Sequence, residues 1–191
     1  MDLTSDHPPH SLIFGHDPWL AALAVVVAAL ASYVAFSLGR HIRAARGAAR
    51  LLWLAGGAVA MGGGIWSMHF IAMLALHPTA SFAYDLRLTL LSLLIAVAAT
   101  GAGFTMATLG RAAPGGAAGF GPGRPAPLPL AAGGLCLGLG IAGMHYVGMA
   151  AITAPGRIVY DPAILALSVL IAVVTATAAL SLAWRRSPAA G

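Results

Sequence analysis

The sequence contains neither lysine nor glutamate: its ten basic residues are all Arg and its five acids are all Asp. Charged side chains make up 8% of its 191 residues, against about a quarter in an ordinary soluble domain. That scarcity excludes a chain whose whole surface meets water. A single cysteine, Cys136, excludes an intrachain disulfide and a cysteine-built metal site. Without glutamate there is no glutamate-bearing zinc motif. No phosphate-binding loop and no Ser-His-Asp order is present either, so no enzymatic activity is expected.

What fills the chain instead is hydrocarbon: 60% of its residues are hydrophobic. Apolar runs occupy roughly 18–38, 51–76, 86–109, 128–152 and 162–184. Each is long enough, at about 1.5 Å per residue, to cross a hydrocarbon layer of about 30 Å. A bare span must be helical, because backbone groups find no water there. The expected fold is an all-α integral membrane bundle of about five transmembrane helices. Residues 12–184 form one membrane domain, with an outer tail at 1–11 and an inner tail at 185–191. The Gly/Pro-rich stretch 110–127 is a flexible linker on the inner side.

Charge placement orients the spans. Arg40, Arg43, Arg46 and Arg50 follow span one, Arg111 and Arg124 follow span three, and Arg185 and Arg186 close the chain. The opposite side holds Arg87, Arg157 and every Asp. The positive-inside rule then puts the N-terminus outside and the C-terminus in the cytoplasm. Trp19 suits the outer interface, and Trp53 and Trp184 the inner one. The net charge of +5 is thus a topology signal. The expected partner is the lipid bilayer, and no nucleic acid is expected.

Two stretches repeat. "GIWSMHFIAM" at 64–73 and "GIAGMHYVGM" at 140–149 share a Met-His-aromatic core, and Met68 and Met144 lie 76 positions apart. Asp85 and Asp161 are separated by the same 76. They open the spans "YDLRLTLLSLLIAV" and "YDPAILALSVLIAV", which the N-terminal "HDPWLAALAVVVAA" matches. Helices that open with Asp and run inward alternate with helices that run outward and carry Met-His; both copies of this pair have the same membrane orientation, so the bundle is built from parallel two-helix repeats. A third Met-His helix would complete three pairs. The gap it leaves is expected to take a second copy of the chain or a partner membrane protein. Gly56-Ala60-Gly64 and Gly134-Gly138-Ala142 are stripes that let helices close up.

His69 and His145 both lie roughly 26 Å from the inner edge. Met73 and Met149 stand one turn beyond them on the same helix faces. Met68 and Met144 precede the histidines. Thioethers and imidazoles together favour copper. Asp17, Asp85 and Asp161, at the mouths of three spans, either cap those helices or support an imidazole N–H. Tyr84 and Tyr160 suit the interfacial aromatic belt. His69 and His145 on separate helices are also suited to the axial positions of a b-type haem, the alternative cofactor.

The double cassette, with "SMHFIAM" and "GMHYVGM" each followed by a span opening Tyr-Asp, resembles the MHYT domain, a bacterial integral-membrane sensor module. The resemblance covers about residues 12–184. It implies a multi-pass protein of the bacterial cytoplasmic membrane. It also implies copper binding near the outer face and sensing of oxygen, carbon monoxide, nitric oxide or redox state. The family's motif residues fall on Met68, His69, Met73, Met144, His145, Tyr146 and Met149, with Tyr146 standing behind the ligands. Phe70 replaces the motif Tyr in the first copy, and Ala72 and Val147 stand where Gly and Thr are usual. Family members often join the module to cyclic-di-nucleotide enzymes, kinases or DNA-binding domains. No such output is seen in this sequence, so signalling through a partner protein is expected.

Overall fold

The computed structural model describes residues 15–77, 83–109, 127–153 and 159–185. The tail 1–11, nearly all of the linker 110–127 and the tail beyond Arg185 lie outside the described residues. Five long helices dominate: α1 (Pro18–Ala44), α2 (Gly47–Ala75), α3 (Leu86–Leu109), α4 (Pro127–Ala150) and α5 (Pro162–Arg185). All five are long and apolar enough to span a membrane. Large side chains such as Leu52, Leu94, Ile164 and Leu170 are exposed along their outer faces, as hydrocarbon contact requires.

The Asp residues begin α1, α3 and α5. Asp17 Oδ1 accepts from the N–H groups of Trp19 and Leu20 at 2.8 and 3.2 Å. Asp161 Oδ1 accepts from Ala163 and Ile164 at 2.8 and 3.1 Å, and Asp85 Oδ1 from Leu88 at 3.0 Å. Pro18 and Pro162 follow two of these caps, at a position where a missing N–H costs nothing. α1 runs past its expected end at 38 to Ala44. Gly47, at φ 57, then takes the left-handed backbone that turns the chain into α2.

The bundle is not purely helical. Four two-residue strands form two antiparallel ladders at the Asp-capped end: β1 (Gly15–His16) pairs with β2 (Leu76–His77), and β3 (Ala83–Tyr84) with β4 (Ile152–Thr153). The Asp17 N–H donates to Ala75 O at 2.9 Å, and the Asp85 N–H to Ala151 O at 2.8 Å. Each ladder thus clamps the start of an Asp-opened helix to the end of a Met-His helix. Such backbone pairing satisfies polar groups where water thins out.

Consecutive helices pack antiparallel, in the order α1, α2, α3, α4, α5, while α2 and α4 touch sparingly and so do α1 and α5. A Cβ on Gly62 would meet Val97 Cα at 2.7 Å, and a Cβ on Gly138 would collide with the backbone of Val173. These two contacts are the same contact 76 positions apart. Gly64 against Ala31 and Gly140 against Ala99 form a second matched pair, the glycines 76 positions apart and the alanines 68. The stripes read from the sequence are therefore only partly contacts: Gly134 and Gly138 abut α5, but Gly56 faces open space. At the Arg-rich end the core draws on all five helices, through Ile42, Leu54, Phe104, Leu137 and Leu180 among others.

Candidate functional site

His69 sits six residues before the last residue of α2, and His145 five before that of α4. Both therefore lie about 8–9 Å below the Asp-capped end. Here the sparing contact between α2 and α4 becomes specific. The two Nδ1 atoms approach to 3.4 Å, and the rings meet edge-on with centroids 4.9 Å apart. His69 is buried to 9% exposure, and its Nε2 has no hydrogen-bond partner among the described residues. A notch in α4 admits this ring. A Cβ on Gly148 would lie 2.9 Å from His69 Nε2 and 3.5 Å from Phe70 Cζ. The equivalent position in α2 is Ala72, so the two histidines are not housed alike.

Of the thioethers, Met73 and Met144 are buried and Met68 and Met149 half-buried. Met73 follows His69, and Met149 follows His145, by four residues on one helix face. Among the described residues no three His, Cys, Asp or Glu side chains gather. A metal here would therefore draw its remaining ligands from Met, Tyr or a small molecule. Asp17, Asp85 and Asp161 spend a carboxylate oxygen on helix capping. Among the described residues no carboxylate holds either nitrogen of His69.

Aromatic rings flank the pair on both sides. Phe70 and Tyr146, 76 positions apart, each lie beside their histidine, with centroids at 5.2 and 4.9 Å. Tyr84 packs on Phe70 at 5.6 Å, and Tyr160 on Tyr146 at 5.4 Å. These two tyrosines, read from sequence as belt residues, are thus parts of the histidine surround. Burial pushes the Tyr84 phenol above its ordinary value. Burial, followed by the neighbouring Tyr146, does the same to Tyr160.

Two serines escaped the sequence reading. Tyr146 Oη and Ser168 Oγ share a hydrogen bond of 2.6 Å. Phe70 has no hydroxyl to do likewise for Ser92, the equivalent serine. Trp66, one turn earlier, replaces it, donating from Nε1 to Ser92 Oγ at 2.9 Å. The signal was present: both repeated spans carry Ser at the same position. Only the neighbouring helix reveals what that Ser binds.

Comparison with known proteins bears on this arrangement. A family described as "MHYT: Bacterial signalling protein N terminal repeat" matches residues 62–119 and 138–191. MucR of Pseudomonas aeruginosa, named a bifunctional diguanylate cyclase/cyclic di-GMP phosphodiesterase, is 45% identical over 177 residues, covering 91% of this chain and 24% of MucR. NbdA of the same organism, named a cyclic di-GMP phosphodiesterase, is 43% identical over 87% of this chain and 19% of its own length. The signalling protein YkoW of Bacillus subtilis is 31% identical, covering 85% of this chain and 19% of YkoW. No solved structure matches. The chain thus spans about a quarter or less of the relatives it matches. These relatives correct the expectation of no enzymatic activity, since MucR and NbdA, which share this segment, are named as enzymes. That expectation rested on catalytic motifs within this chain alone, whereas the match covers a quarter or less of MucR and NbdA. With two matched copies whose starts lie 76 residues apart and which together cover more than half of the sequence, the chain belongs to the MHYT family of bacterial signalling-protein repeats.

Proposed function

We propose that this chain is a membrane sensor segment that holds copper between His69 and His145, reports a diatomic gas or redox state, and acts on cyclic di-GMP turnover. One observation carries the copper reading: two imidazoles from equivalent positions on different helices meet, Nδ1 to Nδ1, at 3.4 Å. Two nitrogens each about 2.0–2.1 Å from one tetrahedral metal lie about 3.3–3.4 Å apart. A linear pair would stand about 4 Å apart. The separation therefore suits a site needing two further ligands. The soft candidates are Met73 and Met149, then Met68 and Met144. A b-type haem fits less well, because its axial imidazoles must stand on opposite sides of a flat macrocycle. Rings with centroids 4.9 Å apart and tilted by 69° leave no slot for one.

Copper would supply a one-electron couple and a coordination position open to a small ligand. The chain's own residues do the rest. Gly148 gives His69 room, Ser168 holds Tyr146 behind His145, and the apolar wall of Phe70 limits water. A change of ligand spacing would move α2 against α4, which touch little elsewhere. It would shift an equilibrium only as far as the two states differ in affinity. The link to cyclic di-GMP is supported by the names of MucR and NbdA.

The arginine distribution supports an outer N-terminus and a cytoplasmic C-terminus in the bacterial inner membrane, with parallel repeats. An apolar cleft of about 100 Å³ opens between α1 and α5, lined by Ser32, Ala35 and Gly39 on one side and Leu180 and Ala183 on the other. It suits contact with a second copy or a partner membrane protein.

The test is copper stoichiometry of the membrane-purified chain beside its His69→Ala and His145→Ala variants. About one copper per chain is expected, lost in both variants. Wild-type copper content in both would return the two histidines to a packing pair joined by one N–H···N bond. A Soret band in the purified wild type would favour haem instead.

A further inference from the structure

We propose that the Arg-rich end of α2 binds the phosphate of an anionic phospholipid, with Arg50 as its principal contact. Arg50 lies in the first turn of α2 and is half-buried. Its Nη2 donates to Thr108 Oγ1 of α3 at 2.7 Å. Thr108 is buried at 4% exposure and gives its own hydrogen to Thr105 O at 2.8 Å. This bond positions the guanidinium but does not neutralise it. A guanidinium has five N–H donors and no acceptor, so most of its bonding capacity remains for an anion.

No acid among the described residues is placed to serve. Among the described residues the acids are Asp17, Asp85 and Asp161, each capping a helix at the opposite end of the bundle. From Asp85 to Thr108 along α3 is about 35 Å. A partly buried cation that far from a carboxylate is costly unless something external pairs with it. Its neighbours add to the charge. Arg46 is exposed just before the helix, and the first turn of α2 contains no acid. The positive end of the helix dipole therefore stands unopposed there.

Two features select a lipid over a free anion. Trp53, 40% exposed, stacks on His41 of α1 with centroids 4.5 Å apart. Amphipathic rings gather at the headgroup level of a bilayer. Directly beside Arg50, Leu51 and Leu52 are 68% and 74% exposed. A phospholipid presents a phosphodiester and hydrocarbon at adjacent depths; inorganic phosphate presents the first alone. Basic pockets between helices on the cytoplasmic side are a recognised means of holding acidic headgroups.

The experiment is native mass spectrometry of the detergent-purified chain with phosphatidylglycerol, phosphatidylcholine and inorganic phosphate titrated separately, with thermal unfolding in parallel. The wild type is expected to retain phosphatidylglycerol in preference to phosphatidylcholine and to melt at a higher temperature with it. Arg50→Gln should weaken that retention about five-fold, the worth of one arginine at an anionic surface. Arg50→Lys should recover part of it. Arg87→Gln, at the opposite end, should match the wild type. If Arg50→Gln fails to fold, Arg46→Gln serves as the second variant and should weaken retention less. Equal retention of the two lipids, no effect of either substitution, or equal stabilisation by inorganic phosphate would overturn the proposal. None of these outcomes depends on copper.

Discussion

At the scale of single residues, the histidine pair is held by what its neighbours lack. Gly148 has no side chain where His69 needs space. Gly148→Ala should therefore displace the His69 ring and cost about 1–3 kcal/mol as an overpacked contact. Ala72→Gly, at the equivalent position in α2, should cost no more than the usual helix penalty of about 1 kcal/mol. Thermal unfolding of the two variants checks this. On the copper reading, Gly148→Ala also lowers copper affinity while Ala72→Gly does not. The Tyr146–Ser168 bond is a second residue-scale device. Tyr146→Phe should destabilise by about 0.5–1.5 kcal/mol, and little more should be lost when Ser168→Ala is added. A double-mutant cycle reading near zero coupling would show the 2.6 Å contact to be incidental. Trp66→Phe should show the same pattern with Ser92→Ala.

At the scale of elements, the helices are joined by close backbone approach rather than by interdigitating bulk. Lipid-solvated helices gain nothing from hiding apolar surface from one another, so contact distance decides. Gly138 and Gly62 press against Val173 and Val97. Gly138→Leu should separate α4 from α5 and cost several kcal/mol, whereas Gly63→Ala, with nothing within 4 Å, should be near neutral. Resistance to denaturation in mixed micelles distinguishes them. The caps are a second element-scale prediction. Asp85→Ala removes the acceptor for Leu88 N–H and should cost about 0.5–2 kcal/mol, and Asp85→Asn much less. The β3–β4 ladder lies beside this cap, so amide exchange at Tyr84 and Thr153 should quicken together in Asp85→Ala.

At the scale of the molecule, sequence and tertiary structure each decided different things. The five spans were legible because length, hydropathy and an Asp–Pro cap are local properties, written within one segment and independent of its neighbours. The two-copy organisation was equally legible, since a 76-residue period needs no coordinates to be seen. A reporter joined at Gly191 tests the orientation inferred from arginine placement: activity is expected in the cytoplasm and not in the periplasm. The contacts were not legible. Gly56 and Gly64 look alike in the sequence, yet one faces open space and the other meets Ala31; which face of an all-apolar helix meets protein rather than lipid carries no polarity signal. The ladders were missed because two residues are too few to show an alternation. Tyr84 and Tyr160 looked like interface residues, yet they close on Phe70 and Tyr146, because a ring at a helix mouth can turn to lipid or inward and only packing chooses. The sequence placed His69 and His145 at one depth. That they approach to 3.4 Å was decided by α3, whose contacts with both α2 and α4 set the distance across which the two imidazoles meet.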